Sequence, residues 1–363
     1  YLAARQNVQE GELGMALGML MMVDKKSDTY MDSESLRGIV LSQQGRYNDA
    51  LAPLLTAQAL GKKAEKGARF DNVTTLNVAR SYFGAGNYQR AVEYYAKVDR
   101  NSDFWPQAWF EKAWSHFRAQ DMNGSLSVLM VHESPFFENY YWPEADLLRA
   151  YSYFLMCKFK DASAEIDAFD ARYQPLYSEL STTLGNYDAM AGWEDGVALN
   201  EGKDTKVPAG VIRQFKNDER FLGAIAATEK ADEELERLKN VSANLFASRA
   251  IKDLELRKRT IKKVEGARLV AKATADRNQL KDMLGNLKIT KLDMMQYETA
   301  QLERAAQTGE LEQGDRIGQL RKLRSKPGTQ MWPWQGEYWA DEVGYYNVVS
   351  RPDCPDALRP RAQ

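Results

Sequence analysis

The sequence predicts an all-α protein, and two observations predict it. One is a helix–turn–helix pattern that recurs through the first half of the chain. The other is a charged stretch rich in Leu and Ala, from Val211 to about Lys326, with no proline before Pro327. Recurring hairpins cannot bury their apolar faces singly and so stack on one another. A long proline-free, charged stretch is most economically helix. Together they divide the 363 residues into a helical-repeat array over 1–175, capping helices and a linker over 176–208, a long charged helical region over 209–328, and an aromatic docking segment with a flexible tail over 329–363.

The clearest hairpin is Leu76–Val98. Small and aromatic residues (Ala79, Tyr82, Tyr88, Ala91, Tyr95) fall three and four apart on either side of Gly86-Asn87, which breaks the helical rhythm. An earlier copy begins near Asp32. Gly38 aligns with Ala79, Gly45 with Gly86, Tyr47 with Tyr88 and Ala50 with Ala91, all 41 residues apart. The extra length falls to Gly61–Asn72, read as a Lys-rich surface loop. Two further units open at Trp105-Pro106 and Trp142-Pro143, 37 residues apart. Proline suits a first helical turn because its missing N–H would have no partner there. The last unit continues through Phe159, Ala162, Ile166 and Phe169 and is expected to close near Pro175. Residues 1–30 are expected to add a capping helix pair. Their apolar run, Leu13–Val23, is only eleven residues, too short to span a bilayer.

The four units, covering residues from about 32 to 172, resemble the tetratricopeptide repeat, whose motif runs roughly W-x2-L-G-x2-Y through a glycine turn to A and F. No unit has the full set, and the recurrence carries the likeness. The resemblance implies a solenoid in which the first helix of each hairpin lines a concave groove. Its groove positions fall on Arg80 and Phe83, on Phe110, Trp114 and Phe117, and on Leu147, Tyr151 and Phe154. The same aromatics also suit an inter-repeat core. Trp114, Arg118 and Tyr151 are the expected anchors for a partner, since Trp, Tyr and Arg dominate interface energetics.

In the second half, Leu235, Leu238, Leu245 and Leu256, then Leu280, Met283, Leu287, Met294 and Tyr297, draw two apolar seams. Ser242, Arg249, Lys252 and Thr290 interrupt them. Coiled-coil-like helices folded back on each other are therefore expected, rather than a parallel dimer. Gly266 and Gly285-Asn286 are expected bends, and Gly309–Gly314 an expected break. The basic cluster Arg257–Lys263 is flanked by Asp253, Glu255 and Glu265 and lacks aromatics, so it reads as a solvated helix face and not a nucleic-acid site. Near the end, Trp332, Trp334, Tyr338, Trp339, Tyr345 and Tyr346 form a dense aromatic block. It is either docked within the chain, the favoured reading, or a second binding patch.

The net charge of −2 gives no global pull toward nucleic acid or an anionic membrane. The two histidines form no HExxH pair, and no phosphate-binding, nucleophile-elbow or dinucleotide fingerprint occurs. No catalytic, cofactor or metal residue is assigned, and a non-enzymatic scaffold for a protein or peptide partner is expected. The competing expectation is a hydrolase of peptide or peptidoglycan with an unrecognised site in the C-terminal half. Cys157 reads as a buried thiol. For Cys354 a surface thiol, a bond to Cys157 and a bond to another chain all stay open. The ending Trp332–Tyr346 is similar to that of deltaproteobacterial envelope repeat proteins of the gliding-motility-associated type. That likeness implies export, a periplasmic or envelope location and protein partners.

Overall fold

The computed structural model describes residues 1–137, 141–216, 218–240, 245–308 and 334–353. Among these residues it contains fourteen α-helices and no strand. No described helix is long and apolar enough to cross a membrane. Trp332, Cys354 and the expected break at Gly309–Gly314 lie outside the described residues. The fold separates into two compact bodies, interleaved along the chain.

The first body holds residues 1–135, 151–158 and the described C-terminal segment. Its helices are α1 (Leu2–Gln9), α2 (Leu13–Met21), α3 (Tyr30–Gln43), α4 (Tyr47–Lys63), α5 (Ala68–Gly84), α6 (Tyr88–Tyr95), α7 (Trp105–Arg118) and α8 (Met122–Leu129). Each packs on the next. Close approach needs small residues. A side chain at Gly38 of α3 would strike Leu54 of α4 and come within 3.2 Å of the Ala50 carbonyl.

Several of the turns share one backbone form. Gly45, Gly86, Gln120 and Cys157 all have φ between +55° and +78°, and each stands two residues before the next helix starts. At each, the amide donates to the carbonyl three residues back, and the following amide donates five residues back. This helix-ending motif is not confined to those four turns: Gly11, Glu65 and Gly202 make the same pair of bonds, so it occurs seven times among the described residues. Glycine serves it at Gly11, Gly45, Gly86 and Gly202. Gln120 and Cys157 adopt it against the preference of side-chain-bearing residues. Cys157 is buried, as its position predicts, but it is engaged in a disulfide and not a free thiol.

The expected N-terminal helix pair is present, α1 packing on α2 and α2 on α3, and it leaves Met15, Met19, Met21 and Met22 exposed. Two expectations fail for tertiary reasons. Gly61–Asn72 is not a loop. α4 runs to Lys63 and α5 starts at Ala68, because Gly61 leaves room for the Phe70 ring. α9 (Pro143–Leu155) is followed by α10 (Phe159–Thr183), which continues through Pro175. Proline removes one backbone bond, but Tyr173 and Leu180 on either side of it are buried.

The second body contains the start of α9, then α10, α11 (Ala189–Glu201), α12 (Ala209–Ile212), α13 (Glu219–Lys239) and the 64-residue α14 (Leu245–Thr308). Within it α14 packs against α10, α11, α12 and α13. The core gathers Leu180, Trp193, Ile212, Phe221 and Leu269. Gly266 is therefore a crossing point and not a bend. A side chain there would strike the α11 backbone, and one at Gly192 would lie 2.5 Å from the Gly266 carbonyl. Gly285-Asn286 likewise sits inside continuous helix. Gly202–Pro208 is no free linker either. The Asp195 carboxylate accepts from the amides of Lys206 (3.0 Å) and Val207 (2.8 Å) and from the Tyr187 hydroxyl (2.6 Å). In the basic cluster Arg257 pairs with Asp253, Lys258 with Asp232, and Lys262 lies over the Trp193 ring.

Candidate functional site

In the first body, helical periodicity sets short rows of side chains facing one another. Arg80, Phe83 and Gly84 share a face of α5, at spacings of three and four. Glu111, Trp114 and Arg118 share a face of α7, at three and seven. α6 adds Tyr88 and Tyr95. Tyr47, the first residue of α4, lays its ring over Gly84, where any side chain would collide with it. These rows enclose a cleft of about 660 Å³.

The inner wall is an ion pair. Arg80 donates to both oxygens of Glu111, through Nε at 2.8 and 3.1 Å and through Nη2 at 2.5 Å. Gln107 donates to the same carboxylate at 2.8 Å, and the Tyr95 hydroxyl also bonds to it. Burial alone would lower Arg80, but its hydrogen bond to Glu111 and the charge of Glu111 outweigh that and hold the guanidinium above its ordinary value. Burial first, then the charge and hydrogen bond of Glu111, push the Tyr95 phenol far up, so it stays a neutral donor.

The outer wall is different. Phe83 and Tyr88 meet edge to face at 5.4 Å, and Trp114 meets Phe117 in the same way at 5.7 Å. Arg118 is exposed and lies 5.9 Å from the Tyr88 ring, with Nε 3.4 Å from the Tyr88 hydroxyl. Among the described residues it has no carboxylate partner. The cleft thus presents aromatic surface, a self-neutralised floor and one uncompensated cation at its rim.

No family model matches the chain, and no curated protein matches it.

Of the groove residues expected from the sequence, Arg80, Phe83, Trp114 and Arg118 converge on this cleft. Phe110 and Phe117 do not; they are 6% and 7% exposed and belong to the core. They face inward because α7 turns the side holding Ala113 and Phe117 toward its neighbours and leaves the Glu111–Arg118 row on the cleft. Leu147 is buried in the second body. Tyr151 and Phe154 are partly buried and do not line the cleft. Tyr47, Gly84, Tyr88, Tyr95 and Glu111 were missed as site residues. Glu111 was recoverable, being one helical turn before Trp114.

The aromatic C-terminal block is docked in part. Arg100 donates to the carbonyls of Ala340 and Asp341 and lies 5.8 Å from the Tyr345 ring. Gly344, with φ +96°, passes the stacked pair Trp105 and Trp109, to which a Cβ would come within 3.2 Å. From there burial alternates residue by residue, as in an extended chain. Gly344, Tyr346, Val348, Ser350 and Pro352 are partly buried, and the residues between them are exposed. The Val348 amide donates to Ser127 Oγ at 2.7 Å. Asn123 brackets Ser350, accepting from its amide at 3.1 Å and donating to its carbonyl at 2.9 Å. The Asp353 amide reaches the Met156 carbonyl at 2.8 Å, and its carboxylate pairs with Lys158 at 3.0 Å. Trp334, Tyr338 and Tyr346 form an edge-to-face chain. Trp334, Trp339 and Tyr345 stay 48%, 60% and 78% exposed.

Proposed function

We propose that this protein is a non-enzymatic scaffold that binds a protein or peptide partner through the cleft between α5, α6 and α7. The observation that carries the reading is the balance of groups there. Glu111, the one carboxylate lining the cleft, is committed to Arg80, Gln107 and Tyr95, and the rest of the wall is mainly aromatic. Such a surface favours contact over proton transfer, because a reactive carboxylate needs a free oxygen and an adjustable proton. The turn shared by Gly11, Gly45, Gly86, Gln120 and Cys157, each two residues before the next helix, supports the tetratricopeptide likeness, since a degenerate repeat keeps its turn geometry where its side chains drift. The disulfide at Cys157 supports an oxidising compartment. That agrees with a place in a cell-envelope assembly, of which a motility apparatus is one kind.

The test is quantitative affinity capture from the native organism with the full chain and with Trp114→Ala. The partner is expected to be lost or strongly reduced with the variant, whose fold is verified by circular dichroism. A partner retained at wild-type level by a folded Trp114→Ala protein would overturn the cleft as the binding surface.

A further inference from the structure

The chemistry of the cleft narrows the partner. Its one guanidinium without a carboxylate is Arg118; Arg80 is held by Glu111 through both oxygens. A second anion at Arg80 would have to displace Glu111, whereas one at Arg118 meets an exposed donor fork suited to bidentate pairing. A lone guanidinium suits one carboxylate. A run of phosphates would need several cations.

Geometry supplies the spacing. Trp114 and Arg118 are four residues apart on α7, so they stand about 6 Å apart along its axis. In an extended peptide, side chains on one side recur every second residue, at about 6.8 Å. The two periods coincide. A ring placed against Trp114, among the partly exposed Phe83 and Tyr88, puts the side chain two residues along at Arg118. Aromatic pairing adds to simple burial, so an aromatic side chain suits this wall better than an aliphatic one.

We infer that the cleft takes an extended peptide segment in which an aromatic and a carboxylate side chain stand two residues apart, the ring on Trp114 and the carboxylate on Arg118. The inference rests on the cleft being the partner-binding surface, and the test separates the two.

Fluorescein-labelled nonapeptides with a central Phe-Ser-Glu, Phe-Ser-Gln, Phe-Ser-Lys or Ala-Ser-Glu are titrated against the full chain, Trp114→Ala and Arg118→Gln by fluorescence anisotropy. Phe-Ser-Glu is expected to bind tightest. It should lose about tenfold in affinity with Arg118→Gln, the scale of one charge-assisted pair, falling to the level of Phe-Ser-Gln, and it should weaken with Trp114→Ala. Binding that depends on Trp114 but treats Glu, Gln and Lys alike would overturn the carboxylate assignment and leave the cleft reading standing. Binding of no peptide would overturn the peptide assignment, and binding indifferent to both substitutions would overturn both. Concentration-dependent self-association abolished by both substitutions would place a second copy in the cleft and overturn the peptide assignment.

Discussion

Lys112 sits one residue from the floor of the cleft, yet its side chain leaves on another face of α7. Its Nζ lies 3.8 Å from the centre of the Trp109 ring, and among the described residues it has no carboxylate partner. Burial lowers it from 10.5 to about 8, while the Trp109 face offsets part of that cost by attracting the charged form. The folded pKa lies below the unfolded one, so between pH 8 and 10.5 the unfolded chain binds the proton and the folded chain does not. Stability therefore rises with pH across that window. Urea midpoints are expected to climb from pH 8 to 9.5 in the wild type and to stay flat in Lys112→Met, which should be the more stable protein at pH 7. Glu111 works in the opposite sense, by satisfying Arg80, Gln107 and Tyr95 together. Glu111→Ala leaves those donors without their acceptor and is expected to cost about 1–3 kcal/mol in urea unfolding. The lower half is favoured, because Arg80 is 45% exposed and water re-solvates it.

At the scale of elements, hairpin stacking depends on backbone proximity. Gly38→Ala would place a methyl in the Leu54 side chain and close to the Ala50 carbonyl. Overpacking of this kind typically costs about 1–3 kcal/mol, and a matching fall in the thermal midpoint would show it. The hairpins themselves were legible because their signals are local: a left-handed turn, small contact residues and spacings of three and four all lie within some 25 residues. What escaped depends on partners distant in sequence. Gly61 reads as a loop until Phe70 is seen beside it, and Gly266 reads as a bend until α11 is seen crossing there. The cleft divides along the same line. Trp114 was legible from the repeat register, and Arg118 from the weight of arginine at interfaces. Phe110 and Phe117 were not, because composition cannot say which of two aromatic rows on α7 its neighbours will cover.

On the scale of the whole molecule, the first body is closed by contacts that bridge most of the sequence. Asn123 and Ser350 are 227 residues apart, and Met156 holds Asp353. The ordering entropy of so long a closure grows only logarithmically with length, so a few well-placed hydrogen bonds suffice. The aromatic block was legible as a docking element but not its division of labour. Its glycine and small polar residues make the contact, while Trp339 and Tyr345 face water.

The extended run from Gly344 to Pro352 alternates faces with a period of two, and that gives the C-terminal segment a reading frame. Removing Asn347 alone would turn Val349 and Arg351 toward the helices and rotate Ser350 away from Asn123. Removing Asn347 and Val348 together would shorten the segment by about 6.8 Å but keep the frame. Hydrogen exchange over residues 349–353 is therefore expected to lose protection in the single deletion and to keep more of it in the double. If the two deletions exchange alike, reach and not phase holds the segment in place.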